Sequence, residues 1–307
     1  MLAEAQRSGL QSILAQLETL EAGLPLPSSP PVSNSTAVTA ARRLNRAAGL
    51  LAFSVLLDSA VEHWRGDFSN PAMYTPLAVS TLTLAGSAHG MFDRRGSSHR
   101  ARDGVYAAAA LTGVVGTGFH VYNVLSRPGR LNWQNVFYGA PLGAPMAILL
   151  AGALGVAAER VRDHPSGTVP RLFRLPAGRA LAAFSSAGIL GTVGEAGMLH
   201  FRGAFQNPAM FLPVTMPPVA AALLANTAFG PARRDRWATR WWLRLTALLG
   251  VAGVGFHAWG VQRMMGGWRN WSQNVPGGPP LPAPPSFTGL ALAGLAALGL
   301  LKDDPDE

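Results

Sequence analysis

Four histidines fall into two pairs with one spacing: His63 and His120 are 57 residues apart (120 − 63), and so are His200 and His257 (257 − 200). Neutral imidazole is a common ligand for transition metals, and its two nitrogens can serve two different partners. The histidines belong to a longer repetition. His63-Trp-Arg-Gly-Asp-Phe-Ser-Asn-Pro-Ala-Met73 returns 137 residues later as His200-Phe-Arg-Gly-Ala-Phe-Gln-Asn-Pro-Ala-Met210. Gly113-Val-Val-Gly-Thr-Gly-Phe-His120 returns at the same offset as Gly250-Val-Ala-Gly-Val-Gly-Phe-His257, and Asp58 is matched by Glu195. The chain is a tandem duplication, so the polar residues that both copies keep are the candidates for chemistry.

Each candidate has a role that its type and position suggest. Gly116 and Gly253 lie four residues before His120 and His257. They share a helical face with those histidines, which would leave room for a flat macrocycle or let two helices pack closely. Arg65 and Arg202 follow the first histidines by two residues. They suit haem propionates through two-pronged hydrogen bonds, or they snorkel to the interface. Asp58 and Glu195 sit about five residues deeper than His63 and His200, roughly 140° around the helix, so acid and histidine do not share a face. An acid at that depth must pair or line a polar cavity. Met73 and Met210 read as core filler with a minor option as soft ligands. Asn70-Pro71 and Asn207-Pro208 read as helix starts, asparagine capping and proline in the first turn.

The elements that position these residues are apolar. Charged residues make up only 13% of the 307 residues and hydrophobic ones 49%. Runs at about 46–64, 73–92, 104–125, 138–158, 180–201, 209–229, 241–261 and 286–301 are each near the length that spans a bilayer. The expected fold is an all-α integral membrane protein of eight spans, in two four-helix repeats of parallel topology. Residues 37–165 form the first repeat, 166–307 the second, and 1–36 a cytoplasmic arm. Leu10, Ile13, Leu14, Leu17 and Leu20 give that arm an amphipathic helix, followed by a Pro- and Ser-rich linker. The arm could dock on a cytoplasmic partner or the membrane surface.

Arginines gather in alternate loops: Arg42, Arg43 and Arg46; Arg94, Arg95, Arg100 and Arg102; Arg160, Arg162, Arg171, Arg174 and Arg179; Arg233, Arg234, Arg236 and Arg240. The positive-inside rule makes these loops and both termini cytoplasmic in a prokaryotic inner membrane. The arginines flank spans rather than forming one basic face, which argues against nucleic acid despite a net charge of +9. The chain has no cysteine. That excludes thiolate metal sites, cysteine-held iron–sulfur clusters and covalent haem.

In an up-down bundle, the first and third helices are diagonal partners, so each repeat would aim two imidazoles at one another near the non-cytoplasmic face. The expectation is a membrane electron-transfer or anchor subunit with two haem b groups, held by His63 with His120 and by His200 with His257. It would exchange electrons with a periplasmic redox protein or quinone. The arrangement resembles membrane cytochromes b in architecture, without a shared sequence motif. Two alternatives stand beside it. One is a non-haem iron or copper site, either mononuclear in each repeat from two histidines and one carboxylate or a shared dinuclear centre from the four histidines with Asp58 and Glu195. The other is a transporter or assembly factor with no redox centre.

Overall fold

The computed structural model describes residues 36–139, 141–165, 168–232, 236–302 and 304. The amphipathic arm expected before residue 36 lies outside the described residues. Ten α-helices, three short 3-10 turns and one two-residue hairpin make up the described chain. Eight of the helices are long: α1 (Thr36–Arg65), α2 (Thr75–Phe92), α3 (Arg100–Leu125), α5 (Gly143–Arg162), α6 (Ala177–Arg202), α7 (Leu212–Phe229), α8 (Trp237–Gln262) and α10 (Pro285–Lys302). Two short ones, α4 (Trp133–Tyr138) and α9 (Trp271–Gly277), lie in the loops before α5 and α10. Both bounds of α2 and α7 differ by 137, and so do those of α3 and α8.

Six segments are long and apolar enough to cross a membrane: α1, α3, α5, Pro208–Phe229 (α7 with its leading turn), α8 and α10. The protein is a helical, multi-pass membrane protein. The other two long helices are diluted by small and hydroxylic residues: Ser80, Thr81, Thr83 and Ser87 in α2, and Ser185, Ser186 and a glycine series in α6. Small side chains let backbones approach, which is how helices associate where lipid removes the hydrophobic drive.

Packing follows two rings. In the first, α1 packs on α2 and α5, and α3 on α5, while α2 meets α3 over a shorter length. In the second, α6 packs on α7 and α10, and α8 on α10, again with a shorter meeting of α7 and α8. Thus α1 and α3 are diagonal partners, as are α6 and α8. The rings join mainly through α10, which runs along α1, whereas α5 and α6 barely touch. Gly289 makes that seam close, because a Cβ there would meet the Ala47 carbonyl at 3.1 Å and the Leu51 side chain at 3.3 Å.

The two rings have different cores at the arginine-rich end. In the first, Asn45 accepts a hydrogen bond from the Tyr106 hydroxyl, and Arg102 pairs with Glu159 (2.7 Å) and Asp93 (2.9 Å). Arg162 donates to the carbonyls of Gly90 and Asp93 at 2.8 Å each, which satisfies the orphan acceptors where α2 ends. At the 137-residue offset, the second ring has Ala182 for Asn45, Leu243 for Tyr106 and Thr239 for Arg102. There Ala182, Leu224 and Leu243 are fully buried in an apolar core.

Candidate functional site

At the opposite end the helices of each ring are less covered. The buried residues of α2 are Ser80, Thr83, Ser87 and Gly90, none of them in its first turn, and those of α3 lie mostly in its first half. Toward the histidines, Pro76, Leu77, Gly116 and Thr117 are only half-buried. The second ring repeats this, with Pro213, Val214, Gly253 and Val254 half-buried.

The repeated motif builds a turn around the first histidine of each ring. After His63, α1 ends, and the backbone N–H of Phe68 donates to the His63 carbonyl at 3.0 Å. Asp67 and Phe68 both adopt left-handed backbone, at φ 54° and 46°, and Ala204 and Phe205 take the same values in the second copy. Left-handed backbone costs a non-glycine residue on the order of 1–3 kcal/mol and persists where the surroundings over-determine it. Here a stack of rings does so. Phe68 lies flat on Tyr74 at 4.4 Å and meets His63 edge-on at 6.2 Å; Phe205 does the same with Phe211 at 4.5 Å and His200 at 6.1 Å. Asn70 and Asn207 cap the following 3-10 turns, each accepting the N–H two residues on at 2.9 Å. Gly66 and Gly203 leave room for the methyl ends of Met73 and Met210.

This turn delivers a carbonyl to the histidine. His63 Nδ1 donates to the Met73 carbonyl at 2.6 Å, and His200 Nδ1 to the Met210 carbonyl at 2.8 Å. The second histidines are held the same way from the other side of the ring. His257 Nδ1 donates to the Pro280 carbonyl at 2.7 Å, and His120 Nδ1 to the Pro141 carbonyl. A carbonyl offers no proton, so Nδ1 must carry it, and in the neutral ring Nε2 keeps its lone pair. A backbone carbonyl on Nδ1–H is the usual support of a metal-binding histidine, fixing tautomer and ring orientation together. All four histidines have it.

Each ring brings its own two histidines together. His200 and His257 have ring centroids 6.4 Å apart, with planes inclined at 68°. His63 and His120 are electrostatic neighbours in the first ring. Two imidazoles bound at about 2 Å on opposite sides of one metal place their centroids about 6.3 Å apart. Among the described residues, no three of His, Cys, Asp and Glu gather as a metal site would require.

The glycines act differently from the macrocycle reading. A Cβ on Gly116 would meet Pro145 at 3.2 Å, and one on Gly253 would meet Pro284 at 2.8 Å. These glycines bring α3 against the start of α5 and α8 against the start of α10. That contact carries Pro141 and Pro280 up to the histidines they orient. Open space lies elsewhere: nothing stands within 4 Å of a Cβ on Gly118, Gly255, Gly191 or Gly194.

The remaining candidates separate. Arg65 forms an exposed ion pair with Glu62 at 2.9 Å. Arg202 lies over the rings of Phe137 (4.8 Å) and Tyr138 (5.5 Å), which tie α4 of the first ring to the end of α6. Glu195 accepts a hydrogen bond from the backbone N–H of Gly143 and lies within electrostatic reach of Asp58. Gly143 is the first residue of α5, so Glu195 satisfies one of that helix's unpaired N–H groups and meets the positive end of its dipole. Asp58 has no such helix start, because α10 begins at proline. Buried Asn135 and Asn274 organise the loops by donating to carbonyls of Pro128 and Arg130, and of Met265 and Gly267. Trp133 and Trp271 are exposed, as interfacial tryptophans are.

No protein-family model, curated protein or solved structure matches this chain.

The site therefore stands on its own geometry. The sequence pairs the histidines but carries little mark of the carbonyls of Met73, Pro141, Met210 and Pro280 that orient them. Only the coincidence of a histidine and a methionine ten residues on, in both copies, hinted at them.

Proposed function

We propose that the chain is a membrane electron-transfer or anchor subunit that holds two haem b groups, one between His63 and His120 and one between His200 and His257. The observation that carries this reading is the support of all four imidazoles by backbone carbonyls, with the His200–His257 rings at a spacing one metal ion would bridge. Two protein ligands leave most of a metal's coordination unfilled, and non-haem iron or zinc sites in proteins draw three or four. A porphyrin brings the missing four. Haem would supply one-electron redox chemistry at each site.

The residues of the chain do the rest. The carbonyls of Met73, Met210, Pro141 and Pro280 hold the histidines as neutral Nε2 donors and raise their basicity. Half-buried positions on α2, α3, α7 and α8, among them Leu77, Gly116, Val214 and Gly253, lie toward them. In this reading all eight long helices cross the bilayer as two parallel repeats, residues 37–165 and 166–307. The arginine-rich end and both termini face the cytoplasm of a prokaryotic inner membrane. Both histidine pairs then lie near one leaflet, suited to a periplasmic redox protein or quinone. They form no wire across the membrane.

The test is an absorption spectrum of the purified full chain, before and after dithionite, with iron by elemental analysis. The expected result is a Soret band that sharpens and shifts on reduction, with two irons per chain. A chain expressed with ample haem supply that shows neither band nor iron refutes the reading.

A further inference from the structure

The arginine-rich end holds a groove of about 520 Å³ between α1, α8 and α10, unconnected with the histidines. Its rim is Arg43 and Arg46 from α1, Arg240 and Arg244 from α8, and Lys302 at the end of α10. Its wall is the α10 stripe of Leu292, Leu295 and Leu298. No carboxylate pairs with any of these five cations among the described residues. Elsewhere at this end, Arg102 and Arg162 are matched with Glu159 and with backbone carbonyls. Gly299 helps form the groove, since a Cβ there would lie 3.6 Å from the Arg43 guanidinium.

The duplication supplies an internal control. At the 137-residue offset, Arg43, Arg46, Arg240 and Arg244 correspond to Ala180, Ala183, Asp103 and Ala107. The same helices in the other half thus carry no basic groove. General membrane orientation would not confine the cations to one half of the duplication. Guanidiniums without a carboxylate partner among the described residues, Arg244 resting over the Trp241 ring at 5.5 Å, stand over a leucine wall at the depth where a span meets the headgroups and match one molecule in shape and charge. We propose that this groove binds an anionic phospholipid of the adjacent leaflet, its phosphate between Arg43, Arg46, Arg240 and Arg244, its acyl chains along Leu292 and Leu295.

The test uses the full chain in neutral detergent, stripped of lipid, titrated with phosphatidylglycerol, phosphatidylcholine or inorganic phosphate, with bound species counted by native mass spectrometry. Phosphatidylglycerol should bind once per chain, and phosphatidylcholine at least tenfold more weakly. Millimolar inorganic phosphate should not displace the lipid. Each neutralised arginine should weaken binding about fivefold, so Arg46→Gln with Arg244→Gln should lose about 25-fold. Both side chains are exposed, so the variant keeps its fold, which circular dichroism verifies. Arg94→Gln with Arg174→Gln, in other basic loops, should leave binding unchanged. Equal binding of the two lipids, displacement by phosphate, or an unaffected Arg46/Arg244 variant would each overturn the proposal. None of these readouts involves the histidines, so this proposal and the haem reading fail separately.

Discussion

Replacing His200 with alanine should remove one haem and leave the other. Each histidine pair is closed within its own ring: His63 and His120 take carbonyls from residues 73 and 141, and His200 and His257 from residues 210 and 280. The electrostatic neighbour of His120 is His63, and that of His257 is His200, so neither pair leans on the other. Iron should therefore fall from two per chain to one, and the Soret absorbance per chain by about half. Folding should survive, because the variant leaves only the Met210 carbonyl without its donor, about 1 kcal/mol. Adding His63→Ala should take iron to zero. His200→Gly should regain its chromophore when imidazole is added, since the Phe205 platform remains to seat it. Absorption spectra with iron analysis on folded, monodisperse protein decide the matter. Loss of both haems from the single variant would mean one shared centre. Retention of both would mean that His200 is not a ligand.

Other consequences follow from particular contacts. Glu195→Ala should lower stability by about 1–3 kcal/mol, since it strands the Gly143 N–H, while Glu195→Gln keeps an acceptor and should cost much less; thermal unfolding in detergent separates the two. Gly113→Ala places a Cβ against the backbone of Leu149 and should part α3 from α5, whereas Gly203→Ala presses on the flexible end of Met210 and makes only ordinary contact with the His200 carbonyl, and should be tolerated within about 1 kcal/mol, both read by thermal unfolding. Glu159→Ala removes the partner of buried Arg102 and should cost about 3–5 kcal/mol, and no counterpart in the second ring could compensate. Burial pushes the Asp93 carboxyl up, but the Arg95 N–H and the guanidiniums of Arg102 and Arg162 hold it below its ordinary value of 3.8. Its stabilisation is then complete above that value and lost as pH falls below it, so Asp93→Asn should flatten the acid limb of a pH–stability curve.

Much of this was legible in the sequence, and for physical reasons. Apolar runs of membrane length mark the helices, and the diagonal of an up-down bundle sets His63 across from His120, its electrostatic neighbour in the structure. Asn70 and Asn207 capped as expected, though each opens a 3-10 turn before the longer helix begins. What stayed hidden was the partner of each group. Gly116 and Gly253 could equally make a hollow or a tight seam, and only the position of Pro145 and Pro284 decides for the seam. Glu195 looked like a chemical group without a role, because the helix start it caps lies 52 residues away (195 − 143) in the other repeat. The carbonyls that orient the histidines belong to backbone, which leaves no mark of residue type.

The seam between α10 and α1 bears on the order in which this protein can be made. The first ring is complete once residue 162 has been synthesised. The outer face of α1, with Ala47 and Leu51 fully buried in the finished protein, nevertheless waits for α10, more than a hundred residues later, to arrive. That helix also closes the second ring against α6 and α8. One helix therefore locks both halves, and a nascent chain cut short before Pro285 would leave two open surfaces in the membrane for quality control to find.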